Sequence, residues 1–213
     1  MTITHRKHSK LASLALAAGL FVAASACGTT PDAGLITCGE TGVTYSTEEA
    51  FPTTPNCARF RGSLQFERSS TVTSLRFLSS VEVIDGFVAF REAASLSTFE
   101  GMERVRRIGG SLTLYRVPSF SLEGLNSLTE VGGDLRIEEG SLTVLEGLSS
   151  LETIGGDLRI TNALRLFSIA DLRSLRRVEG DVYIYFNYEL PESEVDALLA
   201  RIEVGGTVFR SPP

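Results

Sequence analysis

Apolar residues recur along this chain with two periods that take turns, and the pair of periods itself repeats. After a glycine the pattern alternates, as in Leu64/Phe66, Val88/Phe90, Leu112/Leu114, Leu135/Ile137, Leu158/Ile160 and Val182/Ile184. Alternation over so few positions predicts a short, half-buried strand. The chain then steps by three, as in Val72, Leu75, Leu78, Val81, Ile84 and again in Leu142, Leu145, Leu148, Leu151, Ile154. That step fits neither a strand nor a long α-helix, and predicts irregular coil or short 3₁₀ turns with one residue in three in the core. The glycine before each strand stands at Gly62, Gly86, Gly110, Gly133, Gly156, Gly180 and Gly206, at intervals of 24, 24, 23, 23, 24 and 26 residues. Self-similarity at this period predicts a solenoid, in which no repeat buries its apolar face alone and stacked neighbours supply the core. The expected fold is an all-β, leucine-rich-repeat-like parallel β-helix of about six 23–24-residue coils, with adjacent strands about 4.8 Å apart. The glycine pair ahead of each strand is expected to turn the chain through a residue with positive φ.

The two ends depart from the repeat. Residues 35–60 show no good register and carry Cys38 and Cys57; they read as an N-terminal cap over the first coil, followed by coils in residues 61–190 and a C-terminal cap in 191–213. In that last segment Val195, Leu198, Leu199 and Ile202 fall at i, i+3, i+4, i+7. With Pro191 at the start and Glu192 and Glu194 in the first turn, this predicts an amphipathic helix lying over the last coil as a lid. Residues 205–209, GGTVF, return to the strand register as a possible final edge strand, and Ser211-Pro212-Pro213 discourages further pairing.

Ahead of the fold lies a leader. Arg6, Lys7 and Lys10 precede an apolar run over residues 11–24 that is too short to span a bilayer permanently, the layout of a signal peptide over residues 1–26. The sequence Ala24-Ser25-Ala26-Cys27 resembles the bacterial lipobox. That resemblance implies lipidation of Cys27, cleavage just before it and membrane anchoring, with residues 27–34 as the lipidated cysteine and a short tether; an ordinary A-x-A cleavage site is the alternative. Gly28 rather than aspartate follows the cysteine, which points to the outer membrane. With Cys27 lipidated, Cys38 and Cys57 remain to form a disulfide in an oxidising compartment, the alternative being two separate buried thiols.

Composition then narrows the function. The chain has 20 basic and 26 acidic residues; without Arg6, Lys7 and Lys10 of the leader the remaining basic residues are 17 arginines, and the formal charge is −9. Both histidines, His5 and His8, belong to the leader, so the exported part has no histidine, lysine or tryptophan. Ser-His-Asp and Cys-His machinery is thereby excluded, and an acidic solenoid lacks the basic face that nucleic acid requires. No cofactor or metal site is expected. One column stands out: Asp134, Asp157 and Asp181, each one residue after the glycine. Capping of the backbone amides of its own turn is the simplest reading, with Arg136 and Arg159 offsetting like-charge repulsion. Calcium between stacked carboxylates and carboxylate-based polysaccharide chemistry are the alternatives.

The repeats SLEGLNSLTEVGGDLRI and VLEGLSSLETIGGDLRI resemble the receptor L-domain family, the leucine-rich, right-handed β-helical domain of receptor ectodomains and many bacterial surface proteins. The resemblance spans about residues 60–190 and is strongest over 110–160. Asp85 replaces the first glycine of one pair, and only Asn162 and Asn187 stand near the family's asparagine turn. It implies a binding ectodomain rather than an enzyme. The outward sheet positions are then the place to look: Gln65, Ala89, Thr113, Arg136, Arg159 and Tyr183 in one column, Glu67, Arg91, Tyr115, Glu138, Thr161 and Tyr185 in the next. Tyrosine beside arginine is the composition of interface hot spots, so Arg159, Tyr183 and Tyr185, with Arg136, are the candidate ligand site for a protein or glycan. The competing readings are an ordinary solvated sheet face and a spacer lipoprotein without a ligand.

Overall fold

The computed structural model describes residues 28–29, 36–46, 51, 56–68, 70–96, 98–117 and 121–211; the leader and Cys27 lie outside the described residues. The chain is a parallel β-solenoid with two sheets that share a corner. The longer strands, among them Leu112–Tyr115, Leu135–Glu138, Leu158–Thr161 and Val182–Tyr185, form an eight-stranded sheet. Two-residue strands just before each glycine, such as Glu130–Val131 and Thr153–Ile154, form a second sheet of nine. Register repeats without slip: Leu112, Leu135, Leu158, Val182 and Val208 are stacked partners.

The third side of each coil is the stretch that steps by three. Leu142, Leu145, Leu148, Leu151 and Ile154 are all buried, and the Leu148 N–H donates to the Leu145 carbonyl (3.0 Å) and that of Leu151 to Leu148 (3.1 Å). Successive i to i+3 bonds are what hold one residue in three inward; among the described residues they lengthen into 3₁₀ helix at Arg76–Leu78 and Ala170–Ser174. Gly147 opens these turns with φ +107°, and a β-carbon there would collide with the Leu122 carbonyl of the coil before. Both the left-handed backbone and the close approach therefore require glycine.

The glycine pairs work differently from expectation. Neither Gly132 nor Gly133 has a positive φ. The corner between the two sheets instead stacks backbone on backbone: a β-carbon on Gly132 would strike the Gly109 carbonyl, and one on Gly133 would lie 2.8 Å from the Ser111 nitrogen. Glycine is needed for proximity, not for turn handedness. Left-handed conformations lie at the opposite end of the long strands, at Glu92, Arg116, Glu139, Asn162 and Phe186.

Both ends also differ from the sequence reading. The segment taken as an unregistered cap contains a coil in full register, since Thr37 and Cys38 pair with Arg59 and Phe60, and Thr44 and Tyr45 with Ser63 and Leu64. That extra coil brings the solenoid to about seven turns rather than six. Its short strands lack the glycine pair, so the period was hidden. The Cys38–Cys57 disulfide, with Cα atoms 5.8 Å apart, ties this coil to the next. A stacked Phe51–Phe60 pair (4.7 Å) with Phe77 at 4.9 Å from Phe51 fills the interior there. Gly28–Thr29 pairs antiparallel with Ile36–Cys38, beginning within a residue of Cys27.

At the other end the helix Glu192–Leu199 forms with Val195 and Leu198 buried. It stacks beside the 3₁₀ segment of the preceding coil, where Arg201 donates to the Leu172 carbonyl (2.6 Å). The helix thus replaces the step-of-three side of the last coil rather than covering its end. Glu203–Val204 and Val208–Arg210 follow it and continue both sheets.

Candidate functional site

One residue after each glycine, side chains form a ladder along the corner between the sheets. The Phe87 amide donates to Ser63 Oγ (3.2 Å), that of Asp134 to Ser111 Oγ (3.0 Å), that of Asp157 to Asp134 Oδ1 (2.9 Å), that of Asp181 to Asp157 Oδ1 (2.8 Å) and that of Thr207 to Asp181 Oδ1 (2.7 Å). The aspartates therefore cap the amide of the next coil, not of their own turn as the sequence reading had it. A cross-coil cap is the geometrical outcome of glycine corners packed backbone to backbone, which bring the following coil's amide nearer than the local one.

The second carboxylate oxygen of each aspartate holds the outward column in place. Arg136 donates to Asp134 Oδ2 (2.7 Å), Arg159 to Asp157 Oδ2 (2.7 Å) and the Tyr183 hydroxyl to Asp181 Oδ2 (2.9 Å). Burial opposes ionisation of Asp134, but the Asp157 amide and the Arg136 guanidinium outweigh it and hold this carboxyl below the ordinary range. The Thr207 amide and then the Tyr183 hydroxyl do the same for Asp181, and donating to that carboxylate pushes the Tyr183 phenol up. For Arg159, burial works against the charge while the Asp157 carboxylate overcomes it, so its pKa is raised. Among the described residues no three His, Cys, Asp or Glu side chains gather to hold a metal ion.

Upon this ladder the outward column forms a stack. Arg136, Arg159, Tyr183 and Phe209 are register partners. The Arg159 guanidinium carbon sits 3.9 Å from the Tyr183 ring centroid, and the other face of that ring stacks on Phe209 at 4.8 Å with an 8° interplanar angle. Tyr185 stands edge-on to Tyr183 (6.4 Å) and to Phe186 (5.1 Å). The structure thus brings Arg159, Tyr183 and Tyr185 together, with Arg136 one rung earlier. It also occupies both faces of Tyr183 internally, which leaves Tyr185 and the outer face of Phe209 as the accessible rings.

Phe209 was not among the sequence candidates. Its offset from Gly206 equals that of Tyr183 from Gly180 and of Arg159 from Gly156, so the register already contained the signal. Three other outward positions are covered: Ala89, Thr113 and Thr161 are buried although they point away from the core. Small side chains there are overtopped by larger neighbours in adjacent rungs.

Beyond the long strands, the left-handed corner carries a second column. Arg68, Glu92, Arg116 and Glu139 form an alternating chain of ion pairs, at 2.9 Å from Arg68 to Glu92, 2.9 Å from Arg116 to Glu92 and 2.6 Å from Arg116 to Glu139. The alternation ends at Asn162, and Phe186 follows. Asn187 supplies a single rung of amide ladder, accepting from the Ala163 amide (2.9 Å) and donating to the Ile160 carbonyl (2.7 Å). From here to the C-terminus the loops expose apolar groups: Leu164 is 52% exposed, Phe167 50%, Phe186 48%, Tyr188 80% and Phe209 44%.

Comparison with protein-family models, with curated proteins and with solved structures finds no match to this chain.

Proposed function

We propose that this chain is a binding protein of the bacterial envelope, anchored through lipid on Cys27 and of the receptor L-domain type, which recognises a protein or glycan with the C-terminal end of its outward sheet face. The observation carrying this reading is where apolar surface is exposed. Among the described residues every large hydrophobic side chain at least 36% exposed, Val43 excepted, lies at or after Leu164. Scattered exposed hydrophobes are ordinary, whereas a concentration of them marks an interaction surface. Tyr185 and Phe209 offer large rigid area with few torsions to freeze, and Arg159, clamped by Asp157 and Tyr183, is preorganised rather than mobile.

The anchor fits this arrangement. The strand Gly28–Thr29 begins next to Cys27 at the first coil, and eight strands at about 4.8 Å spacing set the aromatic end some seven rungs away from it. Lipid labelling tests the anchor: Cys27→Ser should abolish it and leave uncleaved or soluble protein, and protease shaving of intact cells reports which side of the outer membrane the domain faces. The site is tested by Tyr185→Ala combined with Phe209→Ala, with Arg159→Ala and Tyr183→Ala as a separate pair. Loss of partner capture with an unchanged circular dichroism spectrum and a cooperative melt well above the assay temperature supports the patch; retained capture in both pairs refutes it. A spacer lipoprotein without a ligand is the second reading, favoured by the fully ion-paired corner of the early coils.

A further inference from the structure

The ion-paired corner stops at a groove. The turns at residues 139–141 and 162–165 enclose an open cleft of about 490 Å³ lined by Glu139, Gly140, Ser141, Asn162, Leu164 and Arg165. Asn162 has φ +55° and continues the column of Glu92, Arg116 and Glu139; its backbone N–H donates to the Tyr185 carbonyl (3.2 Å), but where those three side chains pair with one another, the side-chain amide of Asn162 has no hydrogen-bond partner among the described residues. The hydroxyl of Ser141 and the guanidinium of Arg165 have none either. Glu139 pairs with Arg116 and the Tyr115 hydroxyl through Oε2, and its Oε1 has no hydrogen-bond partner among the described residues. Leu164 forms an apolar wall, with Phe186 and Tyr188 on the next rung.

We propose that this groove binds a neutral saccharide. The inference rests on the reading of the chain as a binding protein, and names the ligand class at a site beside the aromatic face. A pyranose presents adjacent hydroxyls, each donor and acceptor, around an apolar C–H face. Planar amide, guanidinium and carboxylate groups engage neighbouring hydroxyls two at a time, while leucine and aromatic side chains cover the face. The groove supplies the Asn162 side-chain amide, the Arg165 guanidinium, the Glu139 carboxylate and the apolar side chain of Leu164. The neutral class follows from charge. Glu139 is already paired with Arg116, so Arg165 is a single cation in the groove, too little to hold a polyanion against the repulsion of the acidic chain around it.

Saturation-transfer NMR on the detergent-solubilised full chain, with maltohexaose, cellohexaose, chitohexaose and mannohexaose as separate probes and an oligogalacturonate as the anionic control, tests the proposal. Binding with a Kd on the order of 1 mM should transfer saturation to at least one neutral oligosaccharide. Arg165→Ala should reduce it severalfold, and Asn162→Gly should do the same while keeping the left-handed backbone that alanine would strain. Tyr185→Ala with Phe209→Ala should leave it in place, which separates this groove from the face. No transfer from any of the four neutral probes overturns the proposal, as does transfer confined to oligogalacturonate or transfer indifferent to both groove variants. Protein capture that requires Asn162 and Arg165 without a saccharide response would give the groove to a protein and overturn it equally. Loss of capture only in the Tyr185/Phe209 pair would sustain the face and remove the groove.

Discussion

The early coils and the last ones keep one register, fill it with different apolar residues, and differ most on the outside. In the early coils the outward column is Gln65, Ala89 and Thr113, small or neutral and largely covered, and the corner beside it is neutralised by the Arg68, Glu92, Arg116 and Glu139 pairs. In the last coils the same two columns read Arg159, Tyr183, Phe209 and Asn162, Phe186, with rings in place of ion pairs. Inward, both regions are apolar and in unbroken register, but Phe60, Phe66, Phe90 and Phe99 fill the early coils where the last coils carry aliphatic residues such as Leu158, Ile160, Val182 and Ile184. A solenoid separates these two tasks, because the interior is fixed by stacking while the surface column of each coil is free to vary. The outward difference between the two regions is therefore one that the stacking does not impose.

The sharpest test of that separation is the position where the corner ladder and the outward stack meet. Asp157 accepts the Asp181 amide with one oxygen and holds Arg159 with the other. Asp157→Ala leaves a part-buried amide unpaired and a guanidinium without its counter-charge, and is expected to destabilise by about 2–3 kcal/mol in equilibrium denaturation. Asp157→Ser, which reproduces the Ser111 rung, should recover roughly half of that loss while leaving Arg159 unclamped. Equal destabilisation by both would mean that the ion pair, not the amide cap, carries the effect.

Acid should act on the same corner. The carboxyl groups of Asp134 and Asp181 are held below their ordinary value in the folded chain. A lowered folded pKa contributes stability that is complete above the unfolded pKa, about 4, and is lost as pH falls through the folded value. The melting temperature is therefore expected to be level above about pH 5 and to fall below about pH 4. Asp134→Asn combined with Asp181→Asn should lower the plateau and flatten the acid slope; a slope unchanged in that variant would place the acid-sensitive groups elsewhere.

Most of the interior was legible in sequence because it rests on two short-range rules. Alternation placed Leu135 and Ile137 inward, the step of three placed Leu142 to Ile154, and the glycine period fixed the register that stacks them. What could not be read was contact between coils. The Asp134 carboxylate reaches the amide of Asp157, 23 positions on, and no local turn preference encodes that. Gly132 and Gly133 were legible as obligatory glycines but not as points of backbone contact, since a tight approach and a positive φ leave the same residue in the sequence. The coil at 36–46 was missed because Cys38, Phe51 and Phe60 fill it in place of leucines. In the candidate site the column of Arg159 and Tyr183 was visible, whereas the Phe209 ring that closes it required knowing that the last strand keeps the register after the helix interrupts it.

A smaller effect distinguishes the corners. Arg116 bridges Glu92 and Glu139 across three rungs, with half of its side chain exposed. Arg116→Ala should lower the denaturation midpoint slightly at low salt and less at high ionic strength, because exposed ion pairs are weak and screened. Denaturation in 0.05 M and 1 M salt, roughly 14 Å and 3 Å of screening length, reads the difference. A salt-independent loss would show that the arginine acts through its left-handed backbone, φ +50°, rather than its charge.

The smallest stability change belongs to the residue with the largest expected functional one. Phe209 is 44% exposed and belongs to the last strand, so Phe209→Ala removes one stacking partner of Tyr183 and opens no interior cavity. Its stability cost is expected at roughly 0.5–1 kcal/mol, the range of an aromatic pair. The ring it uncovers is still held by the Asp181 hydrogen bond at its hydroxyl and by Arg159 on its other face, so Tyr183 should keep its place and its raised phenol pKa. The Tyr115 phenol is pushed up as well, by burial first, so ultraviolet difference titration from pH 9 to 12 checks this by amplitude: the part ionising above the ordinary value of about 10 should keep its size in Phe209→Ala and shrink in Asp181→Ala, where the hydrogen bond that raises Tyr183 is gone. If removing Phe209 alone shrank it equally, the ring stack would be holding Tyr183 in place. The last coils would then be an integral part of the framework, and the division between a fixed interior and a freely varied surface would fail at the end where the ligand is expected.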